Sequence, residues 1–103
     1  MYMVREVMHC KPGKVRELVK KFLALSAFTK KAGYSGLRVY TDVSAERYWT
    51  LVAEMEAESL GAFAEMEEAV MAKEEAQAIM AGYHDLVESG RREIYQSIIP
   101  TFF

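Results

Sequence analysis

A disulfide within this chain is excluded, because Cys10 is its only cysteine. The opening residues also lack the charged-then-apolar profile of a secretory signal, so a reducing, cytoplasmic setting is the expectation. Long hydrophobic runs are missing: no stretch approaches the ~20 apolar residues needed to span a bilayer, and no membrane partner is expected. Metal-site spacing is missing too, since His9-Cys10 and His84-Asp85 are adjacent pairs whose side chains diverge on a strand or a helix. There is no GxGxxG, no GxxxxGKS or GxxxxGKT and no GxSxG. Nucleotide cradles and the nucleophile elbow are thereby excluded at the level of motif, and no metal or bound cofactor is expected.

Charge of either sign is scarce where the other is plentiful. Residues 1–40 hold nine Lys/Arg against Glu6 and Glu17, whereas residues 41–90 hold twelve Asp/Glu against Arg47 and Lys73. A nucleic-acid role needs a basic surface that the rest of the fold leaves unneutralised. The expected arrangement is instead basic and acidic helices lying side by side and offsetting each other, with no nucleic acid as partner.

What is present reads as one α+β domain spanning residues 1–103. Tyr2 to Cys10 interleaves Tyr2, Met3, Val4, Val7 and Met8 with polar residues and stops at Lys11-Pro12-Gly13, as a strand does. From Lys14 to Lys31 the residues Val15, Leu18, Val19, Phe22, Leu25 and Phe28 recur three and four apart, which predicts an amphipathic helix. After Gly33-Tyr34-Ser35-Gly36, two alternating runs, 37–43 and 47–55, read as a hairpin.

Residues 58–88 are rich in Ala, Glu and Met, without proline, and read as helical. One helix of that length would be about 46 Å long, too much for a chain of this size. Its apolar residues also change phase: Leu60, Phe63, Met66, Val70 and Met71 fall on one side, and Ala76, Ile79, Met80, Tyr83, Leu86 and Val87 on nearly the opposite one. A break near Ala72-Lys73 follows, giving a shorter helix and then a longer one that stops at Ser89-Gly90. Arg91 to Ile99 is the last strand. The order is the ferredoxin-like β-α-β-β-α-β pattern, with helices on one face of an antiparallel sheet.

Alternation divides the strands into two faces. Leu37, Val39 and Thr41, with Trp49, Leu51, Ala53 and Met55, are expected beneath the helices. Opposite them lie Arg38, Tyr40 and Asp42, then Tyr48, Thr50, Val52 and Glu54, then Glu93 and Tyr95. Three tyrosines and a valine are unfavourable in water at ~25 cal/mol per Å² of apolar area, while the charged members resist burial unless paired. A second copy covering this face and enclosing a partly polar pocket satisfies both demands. Ile98, Ile99, Phe102 and Phe103 are expected to dock on that partner, the alternative being that they fold back on their own helices.

Within such a pocket Arg38, Tyr40, Tyr48, Glu93 and Tyr95 are candidate ligand contacts. A desolvated carboxylate among tyrosines gains proton affinity, which makes Glu54 a candidate base, and histidine is the natural proton carrier near neutral pH. His84 lies about 100° from the apolar stripe of its helix, so His9 is the better candidate. The competing readings are ordinary: cross-strand ion pairs for Glu54, Glu93 and Arg38, interface tyrosines with one wet end, and a structural histidine.

Three features together resemble a known group. They are a strand running through Lys11-Pro12-Gly13-Lys14 into a long helix, a hairpin carrying Tyr48-Trp49-Thr50-Leu51-Val52, and Leu86-Val87-Glu88-Ser89-Gly90-Arg91-Arg92-Glu93-Ile94 leading into the final strand. The pattern resembles the dimeric α+β barrel superfamily, which includes antibiotic biosynthesis monooxygenase-like and NIPSNAP-like domains. The resemblance implies a homodimer with sheets packed face to face. It also implies a cofactor-independent monooxygenase-like or isomerase-like enzyme acting on a small aromatic or polyketide-like molecule, or else a non-catalytic ligand-binding or interaction domain. Monooxygenase and haem-degrading members often use an Asn, Trp and His set. This chain has no asparagine, so that set is incomplete here.

Overall fold

A computed structural model describes residues 1–98. Strand β1 (Tyr2–Cys10) leads into helix α1 (Val15–Lys31), then the hairpin β2 (Arg38–Thr41) and β3 (Thr50–Ala57). Helices α2 (Leu60–Met71) and α3 (Glu74–Met80) follow, then a single 3-10 turn over Tyr83–Asp85, and β4 (Val87–Gln96) closes the sheet. All pairings are antiparallel, in the order β2-β3-β1-β4. The helices lie on one face, so the fold is the ferredoxin-like α+β architecture that the sequence predicts.

Helix α1 forms because its stripe is paired with a core. Leu18 and Phe22 are buried, and they pack with Cys10, Leu51, Ala53, Met80 and Leu86. A second cluster joins Val4 and Met55 of the sheet to Phe63, Met66 and Val70 of α2 and Ala76 of α3. Two polar residues of α1 are also buried, and both are satisfied. Ser26 Oγ donates to Leu37 O (3.2 Å) and accepts from Leu37 N (2.8 Å), pinning α1 to the start of β2, while Thr29 Oγ1 donates to Leu25 O (2.8 Å).

The break between α2 and α3 falls at Ala72 and Lys73, where Lys73 turns extended (φ −81°, ψ 135°). Ser59 caps α2 by accepting from Ala62 N at 3.0 Å. The lengths are the reverse of the sequence expectation: α2 has 12 residues and α3 only 7. Gly82, in the left-handed region (φ 80°), ends the helix where a residue with a side chain would be strained. Lys21 of α1 donates to Ala81 O (2.7 Å) and Ile79 O (3.3 Å) at that end. Tyr83, Leu86 and Val87 still turn toward the core through the 3-10 turn. Ser89-Gly90 is therefore no helix stop but part of β4. Gly90 lets β4 run close to β1, where a Cβ would lie 2.7 Å from Met8 Sδ and 3.3 Å from Val7 O and press both aside.

Trp49 is a second correction. Strand β3 begins only at Thr50, and Trp49 sits just before it with φ +61°, which takes its side chain off the strand's alternation. It is 42% exposed and belongs to neither core cluster, rather than lying beneath the helices.

Candidate functional site

Register sorts the candidate residues. Val4, Glu6 and Met8 of β1 sit beside Met55, Ala53 and Leu51 on one side and Ile94, Arg92 and Gly90 on the other, all facing the helices. Between this face and the helices lies a cavity of about 270 Å³. Its wall is apolar and soft, with Met8, Met55, Met66, Met71 and Met80 alongside Phe22, Phe63 and Val70. Methionines fill irregular space and make favourable contacts with aromatic rings.

Five polar side chains line the cavity, Glu6, Thr29, Glu67, Tyr83 and Arg92, and three of them form one bonded group. Arg92 of β4 donates through Nε to Glu6 of β1 and through Nη1 (3.2 Å) and Nη2 to Glu67 of α2, bridging sheet and helix layer. Its guanidinium also lies 5.1 Å from the centre of the Phe63 ring. The Glu67 hydrogen bond raises the Arg92 pKa above its usual value, against some opposing burial. Two carboxylates share one guanidinium, so the group carries a surplus negative charge. Glu6, Met8, Tyr83 and Arg92 also line a shallower depression of about 420 Å³ bounded by His84, Glu88 and Ser89, which places the open side of the cavity here.

None of Arg38, Tyr40, Tyr48, Glu54, Glu93, Tyr95 and His9 lines this cavity. Tyr48 belongs to the loop between β2 and β3, 84% exposed, and is not a strand residue. The others are gathered on the opposite face of the sheet. There Arg38, Glu54, Arg5 and Glu93 stand side by side across all four strands, a row of alternating charge. Glu54 accepts from Arg5 Nε (3.0 Å) and Nη2 (2.8 Å), with Arg38 Nε 3.7 Å away. Glu93 accepts from Arg91 Nε at 2.6 Å and Tyr95 Oη at 2.8 Å, and these two bonds lower its pKa below the usual carboxylate value.

His9 sits on this face with both ring nitrogens engaged. Thr50 Oγ1 donates to Arg47 O (2.8 Å), so it accepts from His9 Nδ1 (3.2 Å), and Arg91 Nη1 then donates to His9 Nε2 (3.3 Å). That assigns the neutral tautomer with its proton on Nδ1. Burial first, then Arg47 and Arg91, hold the imidazole below its ordinary pKa of 6.5. The unfolded chain takes up a proton that the folded one resists. The stabilisation is therefore whole above pH 6.5 and is lost as pH falls from 6.5 through the lower folded value. The expected result is an NMR titration midpoint for His9 below 6.5, with the urea midpoint declining over the same interval. A midpoint at or above 6.5 is incompatible with the Arg91 contact.

Cys10 is buried, and burial, with Asp42 nearby, pushes its thiol pKa up, which disfavours the nucleophilic thiolate. Among the described residues no cluster of three His, Cys, Asp or Glu has the geometry to hold a metal ion, and no helix is long and apolar enough to cross a membrane. Ile98 is exposed, and Ile99, Phe102 and Phe103 lie outside the described residues. The sequence reading missed the Glu6, Glu67 and Arg92 group. Glu6 and Arg92 sit at inward strand positions where alternation predicts apolar side chains, and that mismatch was the available signal.

The backbone is similar to several solved structures. One is an uncharacterized NIPSNAP domain protein from Burkholderia xenovorans, with TM-score 0.80 and 18% identity over 95% of both chains. A NIPSNAP family protein from Agrobacterium tumefaciens has TM-score 0.78 and 16% identity over 94% of this chain and 85% of that one. A structure described as an antibiotic biosynthesis monooxygenase has TM-score 0.71 and 12% identity over 96% of this chain and 100% of that one. No family model and no curated protein matches the sequence. At such identities the likeness establishes the fold: a ferredoxin-like α+β domain with the architecture of the NIPSNAP and antibiotic-monooxygenase structures.

Proposed function

We propose that a protein with this fold and this cavity is a homodimeric binder of a small, flat, largely apolar molecule bearing a hydroxyl group, one molecule per protomer. The observation that carries the reading is the methionine-lined cavity of about 270 Å³ with the bonded Glu6, Glu67 and Arg92 group in its wall. That volume lies near the small end of ligand pockets, which run from about 300 to 1,000 Å³. Arg92 already donates to both carboxylates, so the group offers an incoming ligand acceptors and surplus negative charge. A hydroxyl is welcome there and a carboxylate is repelled.

The proposed dimer follows from the opposite face. Tyr40 and Tyr95 are exposed there in the protomer. The charged row reads positive, negative, positive, negative from β2 to β4. A two-fold axis parallel to the strands sets that row against its own reverse, Arg38 of one copy opposite Glu93 of the other and Glu54 opposite Arg5. An axis across the strands would set like over like, which electrostatic complementarity disfavours. In this reading Tyr40, Tyr95, Glu54 and His9 belong to the contact between copies.

A second reading is oxygenase-like or isomerase-like turnover, favoured by the carboxylates that face the cavity. It would begin with the hydroxyl proton passing to Glu6, leaving the ligand anion beside Arg92. Consumption of dissolved oxygen, or a rearranged product by mass spectrometry, would select it over binding alone.

Calorimetry with 2-naphthol and 2-naphthoate tests the binding site. Saturable binding of 2-naphthol at one per protomer is expected, with 2-naphthoate at least about tenfold weaker. Val70 is buried and lines the cavity. Val70→Phe fills part of the space and should weaken 2-naphthol at least about tenfold while the far-ultraviolet dichroism stays unchanged. Equal affinity of Val70→Phe and the unaltered protein would place the ligand elsewhere, and no binding of either probe would remove the reading.

A further inference from the structure

The uneven charge of the sequence is not resolved within the protomer. Helix α1 packs against α3, as the sequence leads one to expect of basic and acidic helices. Yet among the described residues its one ion pair is Glu17 with Lys14, 3.7 Å apart at its start. Arg16, Lys20, Lys30 and Lys31 are exposed along its outer side. At 100° per residue they share one face with Leu23, Ala24 and Ala27. Leu23 is 54% exposed in the middle of that face. Beside it on the same layer, Glu65 and Glu68 of α2 and Glu74 and Glu75 of α3 are exposed and make no ion pair within 4 Å among the described residues. Gly61, Ala64, Ala69 and Ala72 lie on the same outer side of α2, small enough for another helix to come close.

We infer that the outer face of α1 is a docking surface for the acidic α2–α3 face of a second copy, so that helix layers of two molecules pair around a two-fold axis. The layer carries a positive stripe next to a negative one. Face to face about an axis parallel to the stripes, each covers its opposite in the other copy, and the contact is self-complementary. Leu23 then enters the small-residue strip of the facing α2. This surface is on the other side of the molecule from the sheet face, so the association adds to the proposed sheet-to-sheet dimer and does not depend on it.

Because the stripes are solvent-exposed, the association must be strongest at low salt. The Debye length is about 30 Å near 10 mM salt and about 10 Å at 100 mM, so screening should weaken the contact at least about tenfold from 10 to 300 mM. Sedimentation velocity of the full chain should show a mass that rises with concentration at the low salt and is lower at the high one. Two charge-reversed variants separate this from general stickiness: Lys20→Glu/Lys30→Glu/Lys31→Glu, and Glu65→Lys/Glu68→Lys. Each alone should lose the low-salt association, and an equal mixture should regain it, since a predominantly acidic layer then meets one made predominantly basic. All these positions are exposed, and unchanged dichroism confirms that each variant folds. Sedimentation that ignores salt, or a mixture that behaves as the sum of its parts, overturns the inference. So does salt-insensitive sedimentation accompanied by binding to phosphatidylserine vesicles, which would assign α1 to a lipid surface.

Discussion

Leu51→Ala is expected to remove about 3 kcal/mol of folding stability, within the 2–5 kcal/mol typical of fully buried leucines. Leu51 is 0% exposed at the inward side of β3, packed among Cys10, Leu18, Phe22, Ala53, Met80 and Leu86. These neighbours come from the sheet, from two helices and from the turn before β4, so no single element can relax into the space left behind. A domain of this size has a total stability of roughly 5–15 kcal/mol, of which this is a large part. The urea midpoint should fall accordingly with an unchanged denaturant slope. Val43→Ala is the control, because Val43 is fully exposed in the β2–β3 loop and should shift the midpoint by less than about 0.5 kcal/mol. Equal midpoints for the two variants would mean that the core is not centred where these contacts put it.

Glu54→Lys is expected to leave the proposed sheet-face dimer as monomers and to lower protomer stability by about 2 kcal/mol. The Glu54 side chain is 12% exposed, whereas its partners Arg5 and Arg38 are 34% and 49% exposed, so solvent screens part of the loss. Lysine at that position puts three cations side by side and reverses the sign that the row presents to Arg5 of a second copy. Two such reversals act in each dimer. At high salt, where pairing of the helix layers is suppressed, sedimentation should show a dimer for the unaltered protein and a monomer for Glu54→Lys. Glu54→Gln removes the charge without inverting it and should dissociate less. A Glu54→Lys protein that stays dimeric at micromolar concentration would place the contact on some other surface, and a monomeric unaltered protein would dispose of the dimer altogether.

The strands, the first helix and the break at residue 72 were legible because each rests on a local period: alternation in β1 and β3, three-and-four spacing in α1, and a change of phase between Val70 and Ala76. The end of α3 was not legible for the same reason. Its apolar residues kept a helical rhythm to Val87 while the backbone turned at Gly82, and one glycine's left-handed conformation outweighed a pattern that three later apolar residues, Tyr83, Leu86 and Val87, continued. Trp49 failed likewise, because alternation assumes an extended backbone that φ +61° denies.

Of the site, the sequence placed the outer-face residues together correctly, since Arg38, Tyr40, Glu54, Glu93 and Tyr95 follow from strand parity alone. It did not find the cavity between sheet and helices. A space between layers depends on how far helix axes stand from a sheet, which no single residue encodes. Buried Ser26 and Thr29 were equally hidden, their burial resting on hydrogen bonds to Leu37 and to the preceding turn.

The place of β1 has a consequence for how the molecule is made. Both its neighbours come from distant sequence: Tyr2 pairs with Ala57 on one side and with Gln96 on the other. During synthesis β1 emerges before either of its partners, and only the helices and the β2–β3 hairpin can form from local contacts. The sheet cannot be completed until residues 87–96 have emerged, so the apolar side of β1 waits uncovered for most of translation. Val4 and Met8 on that side make the waiting segment one for chaperones to shield, and slowing elongation after residue 57 should favour capture by β3 over aggregation.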